Sequence, residues 1–173
     1  MLTIKVIESG EEFKKLVKPE DALEVINSLV EERAYILVDE KQTIKDEVAW
    51  VESNAKAIDK GTVVFVGLFD GTKYTGGVEA RRKKWRERHN VDFGIAIRKE
   101  YRGGGWGKKL LLTAIDGAKK KLNPHKMWIE YIDGNEIAKN FYEKCGFVEV
   151  ARLKEYVYYE GQWKDRVIME LLE

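Results

Sequence analysis

The chain has one cysteine, two prolines, two histidines and no long apolar run, and each shortage excludes something. A single thiol, Cys145, cannot close an internal disulfide, which agrees with a reducing compartment. No window approaches the roughly 18 consecutive apolar residues of a membrane helix, and the opening MLTIKVIESGEEF lacks the basic-then-apolar layout of a signal peptide. A cytoplasmic protein with no membrane partner is the expectation. His89 and His125 fall in expected loops far apart in sequence, so no metal site is expected. Neither sign of charge dominates: 31 basic and 30 acidic residues leave a net +1, whereas a nucleic-acid partner calls for a strongly basic footprint. Glutamine occurs only at Gln42 and Gln162 while charged residues make up 35% of the chain, a bias that points to a heat-adapted source. Repeats and low-complexity linkers are also missing, so residues 1–173 read as one domain large enough for a substantial core.

What is present is an alternation of strand and helix patterns. Segment 2–7 alternates like a strand, and 19–33 carries Pro19 near a helix start with Ala22, Leu23, Ile26, Leu29 and Val30 at helical spacing. Segment 45–61 reads as a second helix ended by Gly61, so two helices precede the first hairpin. Strands at 62–71 and 73–82 meet at a turn, Asp70-Gly71. A strand at 91–97 leads into a glycine-rich loop and a helix with Leu111, Ala114, Ile115, Ala118 and Leu122 in one stripe, closed by Asn123-Pro124. Then come a strand at 126–133, a helix at 135–145 stopped by Gly146, and two or three strands in the tail with a turn at Glu160-Gly161.

The glycine loop is the strongest chemical signal. EYRGGGWGKKLL places four glycines, 103, 104, 105 and 107, at a helix start, where each costs roughly 0.5–1 kcal/mol relative to alanine. A phosphate-binding P-loop needs Ser or Thr after Gly107-Lys108 and finds Lys109; a dinucleotide fingerprint needs glycine at 108 and finds lysine. What remains is Arg102-x-x-Gly105-x-Gly107 at a helix N-terminus, whose free N–H groups and positive dipole favour a pyrophosphate. The plain alternative is a tight connector that is glycine-rich for packing.

Two blocks resemble the GCN5-related N-acetyltransferase (GNAT) family. VDFGIAIRKEYRGGGWGKKLL is similar to the family's fourth strand and its R/Q-x-x-G-x-G/A loop. WIEYIDGNEIAKNFYEKCGF carries an N-x-x-A-x-x-x-Y-x-x-x-G-F pattern at Asn135, Ala138, Tyr142, Gly146 and Phe147. The resemblance implies an α/β fold with a mixed, mostly antiparallel sheet of six to seven strands, splayed between strands 4 and 5 and flanked by about four helices. It implies acetyl-CoA as cosubstrate, with Ile95, Ala96 and Ile97 beside the pantetheine arm. Arg102, Gly103, Gly104, Gly105, Trp106, Gly107 and Lys108 would surround the pyrophosphate, with Asn135 as a further contact. Gly94 fits a close ligand on its own, since glycine inside a strand marks a bulge or a close approach. Arg98-Lys99 stands where many members have Asp-Pro.

Acetyl transfer to an amine needs a base for the amine and an acid for the departing thiolate. Tyr142 matches the family's acid, against the alternative that it fills the stripe of Ile137, Ala138 and Phe141. Glu130 shares a strand face with Trp128 and Ile132, and apolar company raises a carboxyl toward useful basicity. The motif spacing is closest to ribosomal-protein alanine acetyltransferases, which have a glutamate at the same interval before the tyrosine. Asp92 and Glu79 stay open as alternative bases. Asn135 also reads as a helix N-cap, and Cys145 as a buried packing residue. The basic run 80–89 reads as a solvated hairpin or as a rim for an acidic acceptor. The expected acceptor is a protein amine, an N-terminus or a lysine. Small-molecule amines are the second reading, a non-catalytic acyl-CoA sensor the third, and a homodimer stays open.

Overall fold

The computed structural model describes residues 1–172. The chain runs β1 (Leu2–Ile7), α1 (Gly10–Leu16), α2 (Pro19–Glu31), α3 (Ile44–Asp59), β2 (Val63–Asp70), β3 (Lys73–Arg82) and β4 (Asn90–Ile97). It continues with α4 (Trp106–Leu122), β5 (Lys126–Ile132), α5 (Glu136–Glu143), β6 (Phe147–Tyr159) and β7 (Gln162–Leu171). The seven strands form one sheet in the order β1-β2-β3-β4-β5-β7-β6, antiparallel except for the parallel pair β4 and β5. The fold class expected from the sequence is therefore present, with five helices where about four were expected.

Strand alternation sorts the core onto two faces. On one face Val64, Val66, Val78, Ala80, Phe93, Ile129, Val167 and Met169 pack against α4 and α5. On the other, Ile7, Phe65, Phe69 and Tyr74 pack against α1, α2 and α3. Those three helices cover chiefly the β1–β3 half, with α2 reaching the end of β4 at Ala96, so the same face of β5 and β7 is the part not packed against a helix of this layer.

Three helices, not two, precede the first hairpin. The extra one, α1, is seven residues long and too short to show an apolar period. Its signal is a capping pair: the Glu12 N–H donates to Ser9 Oγ at 3.1 Å, and the Glu8 N–H to Glu12 Oε2 at 2.8 Å. The other boundaries follow their caps. Thr43 and Asp46 form a capping box at α3, and the side chain of Asn135 accepts from the Ala138 N–H at 3.1 Å at α5.

The β4–β5 pairing is short. It runs from Asn90 opposite Lys126 to Phe93 opposite Ile129 and then stops. Beyond that point β4 stays with β3 as far as Ile97 opposite Gly76, while β5 stays with β7 as far as Ile132 opposite Arg166. The two strands thus part at Gly94 and Glu130. The loop of the basic run, 83–89, precedes β4, whose first residue, Asn90, lies about 13 Å from the parting at roughly 3.3 Å per residue. Within that run Lys83 bonds Asp92 at 3.0 Å, Arg82 donates to the Leu122 carbonyl, and Trp85 stands 83% exposed.

Candidate active site

The end of β4 delivers the chain into the glycine loop. Gly103, Gly104 and Gly105 have φ of 83°, 58° and 80°, three successive left-handed residues that only glycine adopts without strain. Gly105 is the N-cap of α4 and has no side chain with which to cap it. In consequence the N–H groups of Gly103, Gly104, Gly105, Gly107 and Lys108 reach no protein acceptor among the described residues. A Cβ at Gly103 or Gly105 would meet nothing within 4 Å, so the loop has open space beside it. Unspent donors, a helix dipole and open space suit a pyrophosphate, so these residues fit the cosubstrate that the family resemblance implies. Trp106 is half-buried beneath the ammonium of Lys109, 4.9 Å from the ring centre, and Lys108 is exposed on the first turn.

Arg102 plays a different part from its neighbours. Its N–H is used in the turn to Lys99, its Nε donates to the Ile97 carbonyl at 2.8 Å, and both terminal nitrogens engage the carboxylate of Glu32 at the end of α2. The side chain therefore braces the loop. It also occupies the Ile97 carbonyl, leaving residues 94–96 as the stretch of β4 facing the gap.

Tyr142 and Glu130 come to the parting from opposite faces. Tyr142 projects from α5 into the core beside Tyr131, Phe141 and Phe147, and is 6% exposed. Burial first, and the nearby Cys145 second, push its phenol well above the usual range, so it stays protonated. Its hydroxyl bonds to no protein group among the described residues. Burial likewise raises the Cys145 thiol, partly offset by Lys108, which leaves it a poor nucleophile.

On the open face, strand register places Glu79, Gly94 and Glu130 in one row, because Glu79 lies opposite Gly94 and Glu130 follows the last β4–β5 pair. Two strand spacings separate the carboxylate-bearing Cα atoms by about 10 Å. Asp92 lies one row back, where the strands are still paired. The expectation of apolar surroundings for Glu130 is corrected: the guanidinium of Arg166, from β7, pairs with its carboxylate. Glu79 is likewise held by Arg81 at 2.5 Å, and Arg81 also donates to Asn54 at 2.7 Å.

A cover lies over the end of β5. Tyr35 stacks on Tyr159 with centroids 4.5 Å apart, the Tyr159 hydroxyl donates to the Arg33 carbonyl at 2.6 Å, and Arg33 pairs with Glu160 at 3.1 Å. A Cβ on Gly134 would lie 3.5 Å from the Tyr35 hydroxyl, so this loop-to-hairpin contact sits directly over the β5–α5 connection. Sequence reading missed Arg166, Glu32 and Tyr35; all act across strands or loops remote in sequence. It also set His89 and His125 apart, whereas the His125 N–H donates to the His89 carbonyl; no metal-binding cluster occurs among the described residues.

Comparison with known proteins agrees with this geometry. Residues 25–147 match the family model described as Acetyltransferase (GNAT) family. A spermidine N(1)-acetyltransferase from Vibrio cholerae is 33% identical over 84 residues, 49% of this chain and 49% of that one, so the match spans about half that relative's length. The L-amino acid N-acyltransferase MnaT of Escherichia coli is 28% identical over 152 residues, 86% of this chain and 84% of the relative. The structure of yncA from Salmonella typhimurium with its cofactor acetyl-CoA superposes with a TM-score of 0.79 at 20% identity, covering 98% of this chain and 92% of that one. Strand order, parted strands and open glycine loop, together with the matched family model, establish that the chain belongs to the acetyltransferase (GNAT) family, N-acetyltransferases whose cosubstrate is acetyl-CoA.

Proposed function

We propose that the chain transfers an acetyl group from acetyl-CoA to the primary amine of a small molecule, by direct attack in a ternary complex. The observation that carries this reading is the parting of β4 from β5, with an acid on one face and a carboxylate on the other. Acetyl-CoA supplies an activated acetyl thioester. The N–H groups of the glycine loop hold its pyrophosphate, and the exposed backbone of Gly94 to Ala96 lines its arm. Glu130 receives the amine proton, directly or through water, as the N–C bond forms. Tyr142 lends its proton to sulfur as the C–S bond breaks, and its raised pKa keeps that proton in place until negative charge develops. Cys145 takes no part, and one chain supplies every group named, so turnover does not require a homodimer.

The cover favours a small acceptor over the protein amine that the motif spacing suggests. Tyr35, Arg33, Tyr159 and Glu160 meet over the end of β5, which narrows the approach for a polypeptide. A cytoplasmic setting accompanies this reading, since acetyl-CoA is an intracellular metabolite and the lone thiol is unpaired. The test is CoA release and product mass with acetyl-CoA and two acceptor sets, small amines and peptides bearing free N-termini or lysines. Turnover of small amines alone supports the reading, and turnover of peptides alone overturns the choice of acceptor. CoA binding without turnover of either set supports the sensor reading.

A further inference from the structure

The charge inventory of the open face points past a generic amine. Its carboxylates are matched one to one among the described residues: Glu79 with Arg81, Asp92 with Lys83, Glu130 with Arg166 and Glu170 with Lys126. A polyamine brings several positive charges and would find no surplus of negative charge here. An acidic peptide would find little surplus of positive charge, the one cation of this stretch of β7 without a carboxylate partner among the described residues being Lys164 beside Gly134. A molecule carrying one of each fits the Glu130–Arg166 pair without leaving either of those two charges unpaired.

The pair that can open is Glu130–Arg166. Glu130 stands at the first position past the last β4–β5 contact, and both side chains are about one quarter exposed. Arg81, by contrast, is fixed by Asn54 as well as Glu79. The Tyr156 ring lies 5.7 Å from the Arg166 guanidinium carbon and presents the fork in a set orientation. In an α-amino acid the ammonium and carboxylate are joined through one carbon, so the two charges are as close as the partners of a salt bridge and can be inserted between Glu130 and Arg166.

We propose that the acceptor is a zwitterion, an α-amino acid or close analogue, whose carboxylate takes the Arg166 guanidinium away from Glu130 and so frees Glu130 to receive the amine proton. This rests on the transfer reading above. One guanidinium–carboxylate pair replaces another, so the exchange strands no charge. An acceptor without a carboxylate leaves Arg166 on Glu130, with the lone pairs of the base engaged. Arg166 thereby sets specificity and activation together. The proton balance is unchanged: nitrogen bonds to the acetyl carbon, Glu130 takes the amine proton, the C–S bond breaks and sulfur receives a proton from Tyr142.

The experiment compares kcat/KM for a panel of α-amino acids, the matching α-amino amides and spermidine, in wild type, R166Q and R166K, with acetyl-CoA binding measured by calorimetry for each variant. Wild type is expected to favour the best amino acid over its amide by about 10- to 100-fold, the worth of a charge-assisted fork. R166Q should bring that ratio close to one, and R166K, which keeps the charge without the fork, should fall between. Should R166Q fail to bind acetyl-CoA, the wild-type ratio and R166K decide. Amides or spermidine used as well as amino acids by wild type, or a preference that survives both variants, would overturn the proposal. Transfer to no acceptor despite bound acetyl-CoA would overturn the transfer reading itself, a distinguishable result.

Discussion

Replacing Gly105 by alanine separates what the loop costs the fold from what it gives the ligand. At φ of 80° the alanine sits in the left-handed region, at a cost of about 1–2 kcal/mol. The new methyl meets no protein atom within 4 Å, so backbone strain is the whole penalty in the free protein. For a chain of this size that lowers the melting midpoint by roughly 2–8 °C. Gly61 supplies the control: its φ is 65°, a Cβ there also meets nothing within 4 Å, and it follows α3, away from the loop. Gly61→Ala should therefore lose comparable stability and no affinity. Gly105→Ala adds a methyl within the loop proposed to hold the pyrophosphate, and loss of one charge-assisted hydrogen bond there should weaken acetyl-CoA binding by about 10- to 100-fold. Calorimetric titration with acetyl-CoA and thermal melts of the three proteins read both quantities. Equal affinity for wild type and Gly105→Ala, or equal losses in both variants, would refute the loop as the pyrophosphate site.

Three further outcomes are expected. Tyr142→Phe should lower kcat on the order of 10²-fold with acetyl-CoA affinity retained, because no protein group depends on the hydroxyl; full activity would remove the acid role. Glu130→Gln should shift the rate profile to higher pH, where more of the amine is neutral without help, and an unaltered profile there with a shift in Glu79→Gln would move the base to Glu79. Asp165 tests the long edge hairpin: its Oδ1 accepts from the Glu155 N–H at 2.9 Å, across the bulge where Glu155 has a φ of 49°. That bond first, then Lys154, holds the Asp165 carboxyl down to about 2. A depressed pKa contributes stability that is present above the ordinary carboxyl range and lost as pH falls toward 2. Asp165→Asn should accordingly melt below wild type at neutral pH and converge with it near pH 2; a constant gap would count against the assignment.

The parts of the molecule that local rules govern were legible in the chain. Asn135 and Gly146 mark helix ends because capping acts within four residues, and the glycine loop is legible because left-handed backbone selects glycine on the spot. Glu130 shows where such reasoning fails. Its same-strand neighbours, Trp128 and Ile132, do share its face, yet its environment is set by the partner strand, and which residue of β7 lies beside it depends on a register no local signal encodes. The partners of the Arg102 side chain were equally illegible. Its motif position suggests the phosphate, while its side chain reaches the Ile97 carbonyl and Glu32, 70 residues earlier. The parting of β4 and β5 followed from the family resemblance alone, since pairing that stops is a property of three strands together.

That parting also explains why acid and base need not compete for one space. A strand alternates its side chains, so Glu130 and Tyr131 face opposite sides of β5. Tyr131 packs toward Tyr142 on the helix face, and Glu130 opens to the uncovered face. In a fully paired sheet those sides are sealed from each other by the hydrogen-bond ladder. Where β4 keeps β3 and β5 turns to β7, the ladder is missing for a few residues, and the backbone edge there has donors and acceptors that call for a partner. An extended amide-bearing arm entering from the glycine-loop side satisfies that edge as a strand would. In the proposed reaction its thioester end would lie between the two faces, with the phenol of Tyr142 on one side and the amine with the Glu130 carboxylate on the other. Closing the gap with a bulky residue at Gly94, where a Cβ has open space, should therefore leave the fold intact and abolish transfer; a Gly94→Val protein that still turns over at the wild-type rate would show that the reaction does not pass through the parting.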